Sequence, residues 1–372
     1  MRNQKLVKLL IIIGLAIASA GTPSLVAQTP PSDLTEMSLE QLLGLRIIPH
    51  GETPEPNLRK RNKWSLGHRY IRFDFDGNNM GTREVPVSEV LWSGVPSERT
   101  KDNFPIVSLI ICQKAYVTSV TYDASERWRW SVLVPYIIQE TDHVANDSLP
   151  TIGPDFARFI IRSEGIGDVT INPSFVAYNK KGHTVTLHTG FRLPFGSITE
   201  VGDSPAPGTS NQLPYTMQIG SGTFDYLPGI TYVRSGGQTR WGAQALATLR
   251  MGKNDRGYAL GDRISLSAWV RTRVLDWLEP SVTVSAQAWG RIDGVDKDFS
   301  RFVGGFFPAT VTDPSNFGGE KITVTGGLRF IGQDQLVNQS LEVSFGAPVY
   351  QRLNGPQPRE VWRASVSWGW DL

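Results

Sequence analysis

The chain has 372 residues, with 37 lysines and arginines, 35 aspartates and glutamates and one cysteine, Cys112. A single cysteine excludes an internal disulfide, and we interpret it as a small apolar strand residue. Hydrophobic residues make up 40% of the chain, beside 37 glycines and 24 prolines, which is too polar and too rich in turn residues for a bundle of membrane helices.

The first 27 residues have the pattern of a secretory signal peptide. Three basic residues lie within the first eight positions, and the apolar run from Leu6 to Ala20 ends in small residues. A helix that crosses a bilayer needs about 20 apolar residues, which favours a cleaved leader over an anchor. We predict cleavage after Ala27, with Ala20 as the alternative site. The remaining chain would carry 34 basic and 35 acidic residues, so we expect no nucleic-acid partner.

Residues 28–63 form a separate predicted segment. Ser38-Leu39-Glu40-Gln41 has the form of a helix capping box and is followed by leucines. A polar, proline-containing tract then runs from Pro49 to Lys63. We interpret the segment as a short periplasmic helix and a linker, and a disordered tail is the alternative.

From residue 64 onward, short and long connections alternate. Short links fall at 123–126, 179–182, 235–237, 276–277 and 332–335, and long polar connections fall at 76–105, 139–164, 194–217, 252–261, 293–318 and 350–358. A bacterial outer-membrane barrel has this arrangement, with short periplasmic turns and long outside loops.

Twelve strands are predicted between these connections, and most are long enough to cross a bilayer, which takes about 9–11 tilted residues. An even number is typical of bacterial single-chain barrels. The predicted fold class is therefore all-β, a transmembrane antiparallel β-barrel of about twelve strands over residues 64–372. The strands are 64–75, 106–122, 128–138, 167–178, 183–193, 218–234, 238–251, 261–275, 278–292, 319–331, 336–349 and 359–371.

The side chains within these strands alternate in polarity. Trp128, Trp130 and Val132 share one face, whereas Arg129 and Ser131 share the other. In a membrane barrel the apolar set faces lipid and the polar set lines the interior, while in a soluble sandwich, the alternative, the apolar set faces inward. Tryptophan and tyrosine recur near strand ends, as in the girdles at the two membrane interfaces: Trp64, Trp128, Tyr136, Tyr178, Tyr232, Trp241, Trp277, Tyr350 and Trp370.

Charged side chains on the predicted interior face are the candidate functional residues. Arginines outnumber acids there, which would favour anions in a confined pore. The alternative is that the arginines pair with acids and close the interior, as happens in narrow barrels. The candidate pore-lining residues are Arg129, Arg192, Arg250, Arg271, Arg273, Arg329, Arg363, Glu342 and Asp371. Asp225 is a further acid predicted on this face.

No pattern in the sequence points to a catalytic, cofactor or metal site. The five histidines show no legible spacing with a serine and an acid, although a catalytic triad is defined by geometry rather than by sequence. The segment Asp74–Asn79 lacks the ligands of a complete calcium loop, and we interpret it as a loop tip. We therefore expect no enzyme activity and no cofactor.

Several segments resemble the outer-membrane transporter family named for the MetA-pathway of phenol degradation. They are Tyr122–Trp128 with Leu133–Tyr136, Gly165–Val169, Arg192–Ser197 and Gly220–Asp225. The resemblance covers the chain from about 106 to 250, and it implies an outer-membrane location and the uptake of aromatic or hydrophobic solutes. The last strand ends in alternate aromatics, as is common in such barrels, but its final residue is Leu372 rather than phenylalanine or tryptophan.

The sequence thus predicts a passive outer-membrane channel of a Gram-negative bacterium for small aromatic or anionic solutes. Its long loops, mainly 76–105, 194–217 and 293–318, would gate access. Outer-membrane lipid, the solute and the outer-membrane assembly machinery are the expected partners, and the oligomeric state stays open. A closed structural or adhesive barrel and an outer-membrane hydrolase are the alternative functions.

Overall fold

The computed structural model describes residues 64–146, 157–203, 210–299 and 306–372. The predicted signal peptide and the predicted segment 28–63 lie outside these ranges. Within the described ranges, no helix is long and apolar enough to cross a membrane.

Eleven long antiparallel strands close into a barrel, because the last strand pairs with the first. Ser65 of β1 lies opposite Asp371 of β17, and the pairing continues to Asp74 and Trp362. The strands are β1 Trp64–Gly81, β3 Ile106–Asp123, β4 Trp128–Ala145, β6 Val169–Lys180, β7 His183–Leu193, β10 Asp225–Gly236, β11 Thr239–Arg250, β13 Arg263–Thr272, β14 Leu278–Trp289, β16 Gly319–Ile331 and β17 Gln339–Asp371. The predicted all-β barrel is confirmed.

The last strand, β17, folds back on itself and supplies two adjacent passes. Its first arm, residues 340–353, pairs with β16, and its second arm pairs with β1. The two arms contact each other, since the hydroxyl oxygens of Ser344 and Ser365 lie 2.8 Å apart and the backbone N–H of Asp371 donates to Asn338. The eleven strands therefore make twelve passes, which matches the predicted number.

The remaining elements are short and lie in the connections. β2 (Arg83–Val85) extends the edge of β1, and β5 (Arg158–Ile166) pairs with the far half of β4. β8 (Val201–Asp203) pairs with β9 (Ser210–Gln212), and β12 (Tyr258–Ala259) pairs with β15 (Asp293–Gly294). A four-residue helix, α1, covers Val87–Val90, and 3₁₀ turns occur at Pro96–Glu98, Tyr215–Met217, Thr310–Thr312 and Asp334–Leu336.

The outer face of the barrel is apolar over the depth of a membrane. On β4, Trp128, Val132 and Tyr136 are exposed, while Ser131 and Ile137 are buried on the inner face. The outward apolar stretch from Trp128 to Ile138 covers about 25 Å if the strand tilts by about 40°. This is the height of the apolar band in outer-membrane barrels.

Aromatic side chains form a band at each edge of this outer surface. At the end of the barrel with the short turns, here the turn end, Trp64 packs on Tyr122 with ring centroids 4.5 Å apart. Toward the opposite end, the loop end, Tyr70, Tyr116 and Tyr136 are register neighbours on β1, β3 and β4. Indole and phenol rings prefer the headgroup zone, so these bands mark the two membrane interfaces.

Strands β1, β3 and β4 continue beyond the loop-end band, and charged side chains face outward there. Arg72 and Asp74 form an outward ion pair of 2.5 Å, whereas Phe73 and Phe75 are buried inside. The predicted 139–164 connection belongs partly to this extension, since β4 runs to Ala145 and β5 pairs with it. Residues 139–145 were predicted as a loop because they carry outward charges. They are nevertheless strand, and the charges are tolerated because this part of β4 lies beyond the lipid.

A charge at the middle of the apolar band is expected to destabilise the barrel. Val132→Arg places a guanidinium at mid-depth and should lower the free energy of unfolding by about 2–4 kcal/mol. Ile160→Arg is the matched control, because Ile160 also faces outward but lies on β5, beyond the loop-end band. Urea unfolding in lipid vesicles measures both variants, and equal losses would contradict the assigned band.

Candidate functional site: the barrel interior

The strand register turns all nine predicted interior residues away from the lipid-facing surface. Arg129 alternates with the exposed Trp128 and Trp130, and Arg192 pairs across β7 and β10 with the fully buried Asp225. The predicted residues from β13 to β17 lie on one wall of the barrel, which we call the basic wall. It is formed by β13, β14, β16, β17 and β1.

Three carboxylates in the interior each hold two basic side chains. Asp225 accepts from Arg250 at 2.5 Å and lies 3.5 Å from Arg192. The other two trios join Glu279 to Arg273 at 3.1 Å and Arg329 at 3.5 Å, and Glu360 to Lys321 at 2.6 Å and to Arg363. A buried cation without an acid partner would be strongly destabilising. Each trio of one carboxylate and two basic side chains gives both cations a partner and carries a formal charge of +1.

The other four predicted residues have simpler partners. Arg271 binds Glu342 at 2.7 Å, and the hydroxyl of Ser65 donates to Asp371 at 2.7 Å. Arg129 pairs with Asp123 at 2.7 Å across the first short turn. The sequence analysis raised such pairing as an alternative to an open pore.

Sequence reasoning missed four of the charged residues that complete these contacts: Asp123, Glu279, Lys321 and Glu360. The inward position of Glu279 and Lys321 could have been predicted, because each lies two residues from a small polar residue on the same strand, Ser281 and Thr323. Glu360 could not be placed by parity, because a register shift between Asp74 and Phe75 leaves Val361 of β17 as an extra residue directly after it.

Hydroxyl groups line the middle of the basic wall, between its charged layers. Ser267 and Ser285 lie 3.1 Å apart across β13 and β14, and Arg69 donates to Ser367 at 2.7 Å. A cavity of about 80 Å³ opens onto this surface. We call its hydroxyl-bearing residues the hydroxyl belt: Ser265, Ser267, Ser281, Thr283, Ser285, Thr325, Ser344, Ser365 and Ser367.

The opposite side of the interior is filled by an apolar cluster together with buried polar side chains such as Gln113 and Gln139, which hydrogen-bond to each other. Phe73, Ile111 and Ile137 from β1, β3 and β4 belong to one buried cluster with Ile219. Ile219 comes from the long connection before β10, so this connection enters the barrel. The predicted strand 218–234 accordingly begins only at Asp225.

Hydrogen bonds fix the entering connection, residues 213–223, which we call the inner segment. The Asp168 carboxylate accepts from the N–H and hydroxyl of Ser221 at 2.8 and 2.7 Å and from the N–H of Gly196 at 2.9 Å. Gln139 donates to the carbonyl of Gln218 at 3.1 Å. The Gly196 and Gly220 backbones touch so closely that a Cβ at either would collide with the other, which explains glycine at both positions.

Buried ion pairs and aromatic contacts join the long connections at the loop end. Arg256 donates to Asp296 at 2.6 and 2.7 Å, and these bonds raise the pKa of its guanidinium. The Asp296 N–H in turn donates to the Tyr215 hydroxyl at 2.8 Å, and burial raises the pKa of that phenol. Arg99 donates to the carbonyl of Phe307 at 2.7 Å, and burial lowers its pKa to about 10.

The histidines in the described part of the chain lie beside hydroxyl groups and aromatic rings. His188 lies 2.8 Å from the Thr231 hydroxyl, His183 lies 2.8 Å from the Tyr232 hydroxyl, and His143 stacks on Phe159. None of these contacts joins a serine or cysteine to a carboxylate through histidine. The described residues also contain no group of three or more histidine, cysteine, aspartate or glutamate residues suited to a metal ion.

No family model and no curated protein sequence matches the chain. Its structure is similar to the crystal structure of an outer-membrane channel from Pseudomonas putida F1, with a TM-score of 0.52, 9% identity and coverage of 86% of this chain and 98% of that chain. The fold is therefore that of an outer-membrane β-barrel.

Two other solved structures resemble the chain less well. The transport unit of the autotransporter AIDA-I from Escherichia coli has a TM-score of 0.45 at 9% identity, with 88% of this chain and 95% of that chain covered. A mutant of the TodX monoaromatic hydrocarbon channel has a TM-score of 0.41 at 9% identity, with 85% and 91% covered. At such identities, function has to be argued from the interior itself.

Removing the shared acid of one trio is expected to destabilise the fold. Glu360→Gln leaves the buried Lys321 and Arg363 without their carboxylate and should lower the free energy of unfolding by about 3–5 kcal/mol. Glu320→Gln, on the outward face of β16, should change it by less than about 0.5 kcal/mol. Denaturant titration in detergent provides both values, and equal effects would contradict the trio's role.

Freeing the inner segment is expected to change the interior without breaking the barrel. Asp168→Ala removes the acceptor of three hydrogen bonds, so residues 213–223 should leave their position and the conductance of the reconstituted protein should rise. Asp142→Ala, which removes an outward carboxylate from β4, is the control. An unchanged conductance in Asp168→Ala would show that the inner segment does not restrict passage.

Proposed function

We propose that the chain is a passive outer-membrane channel for small solutes, of the family named for the MetA-pathway of phenol degradation. The observation that carries this proposal is the hydroxyl-lined cavity inside a closed barrel with an apolar outer face. Such an interior offers solutes hydrogen bonds in place of water, while the outer face is suited to lipid. The protein carries out no chemical reaction, because solutes move down their gradients.

The nine interior residues act as the charged lining of this pathway. Because three carboxylates are each shared by two basic groups, the interior keeps a positive excess even though its ions are paired. Confined positive charge attracts anions and repels cations. The long connections at the loop end, tied together by Arg99 and Arg256, set the access to the interior from outside.

A closed structural barrel is the second candidate function. The ion pairs and the inserted Ile219 segment favour it, because both fill interior space. The two candidates differ in one measurable property, which is the passage of ions.

Planar-bilayer recording of the refolded mature chain should show discrete conductance steps. In a potassium chloride gradient the reversal potential should have the sign of anion selectivity, because basic groups exceed acids in the interior. Heat-modifiable gel mobility verifies that the recorded protein is a folded barrel. Folded protein without conductance would support the closed barrel, and cation selectivity would contradict the assigned lining.

A further inference from the structure

The two sides of the barrel interior differ in chemistry, and this restricts what can pass. The side of β3 and β4 is filled by the apolar cluster around Ile219 together with buried polar side chains such as Gln113 and Gln139. The cavity lies at the basic wall, where Ile71 is the one large apolar side chain among its lining residues. A solute in this cavity therefore meets a row of hydroxyl groups together with Ile71 and the aliphatic carbons of the lining side chains.

Hydroxyl side chains suit a hydrogen-bonding solute for a geometric reason. Each serine or threonine hydroxyl both donates and accepts, and its hydrogen rotates to suit the partner. The belt has nine such groups on neighbouring strands, and two pairs of them, Ser344 with Ser365 at 2.8 Å and Ser267 with Ser285 at 3.1 Å, lie within hydrogen-bond distance. A solute with several hydroxyls can exchange its water contacts for belt contacts, whereas an aromatic hydrocarbon cannot.

Basic side chains lie above, within and below the belt. The inward positions of the basic wall hold seven basic residues and four acids, Glu279, Glu342, Glu360 and Asp371. Arg69 borders the cavity beside Ser367, and Arg363 borders it toward the loop end. The basic residues are Arg69, Arg263, Arg271, Arg273, Lys321, Arg329 and Arg363.

We propose that the solute of this channel is a small hydroxylated anion, such as a sugar acid, recognised by the hydroxyl belt together with Arg69 and Arg363. The inference rests on the proposed channel function and specifies its solute. It departs from the aromatic or hydrophobic solutes that the family resemblance implies. Guanidinium groups bind carboxylates and phosphates alike, so the shared chemistry is an oxyanion on a polyhydroxylated body.

Bi-ionic reversal potentials test this proposal on the full mature chain. With potassium chloride on one side and potassium gluconate or potassium benzoate on the other, we expect gluconate to be several-fold more permeant than benzoate. Glycerol 3-phosphate in place of gluconate distinguishes phosphate from carboxylate solutes. Benzoate passing at least as well as both hydroxylated anions would overturn the solute class, while a barrel with no conductance would instead overturn the channel function.

Substitutions of cavity residues test which side chains cause the expected preference for gluconate over benzoate. Arg69→Gln should lower gluconate permeability several-fold, and Arg352→Gln, the same change at an exposed outward position, should leave it unchanged. The pair Ser267→Ala and Ser285→Ala should bring the gluconate-to-benzoate ratio toward one while chloride conductance persists. A wild-type ratio in the double variant would overturn the role of the belt.

Discussion

Closure of the sheet between β17 and β1 is the constraint on which the rest of the structure depends. In lipid every backbone N–H and C=O must find a partner within the protein, and an open edge strand would leave a row of them unpaired. The register from Ser65 with Asp371 to Asp74 with Trp362 removes that edge. Once the sheet is closed, the side-chain period of two divides every strand into a lipid-facing and an inward-facing set. The location of the interior charges follows from this division, except for Glu360, which a register shift turns inward.

The interior charges then have to pair with each other, because most of them are buried. Eight of the basic groups on the inner face share five carboxylates, and three of those carboxylates hold two bases each. This arrangement gives each of these buried charges a partner of opposite sign and leaves an excess of positive charge in the interior. The same contacts therefore serve stability and the electrostatic character of the interior, which is why the pairing does not by itself exclude a channel.

The periodic features of the barrel could be predicted from the sequence, whereas its local irregularities could not. The strand number follows from the alternation of short and long connections, and the inward parity of the nine predicted residues follows from the side-chain period of two, so both could be predicted. The missed features are local: the register shift that turns Glu360 inward, the β4–β5 extension beyond the membrane, and the entry of Ile219 into the barrel. Segment 218–224 was predicted as strand because it precedes a true strand, whereas its position is set by Asp168, fifty residues earlier, which no local pattern reveals.

The inverted polarity of β1 beyond the loop-end band connects these local features to the chemistry of the interior. Where the wall leaves the lipid, apolar residues such as Phe73 turn inward, and they provide the surface on which Ile219 packs. That packing fills the β3–β4 side and leaves the cavity at the basic wall. The chemistry of the cavity is therefore set by the serines and threonines of β13 to β17. Aromatic residues are abundant in this chain, and on the barrel most lie on its outer face, whereas Phe73, Trp269 and Trp289 are buried inside.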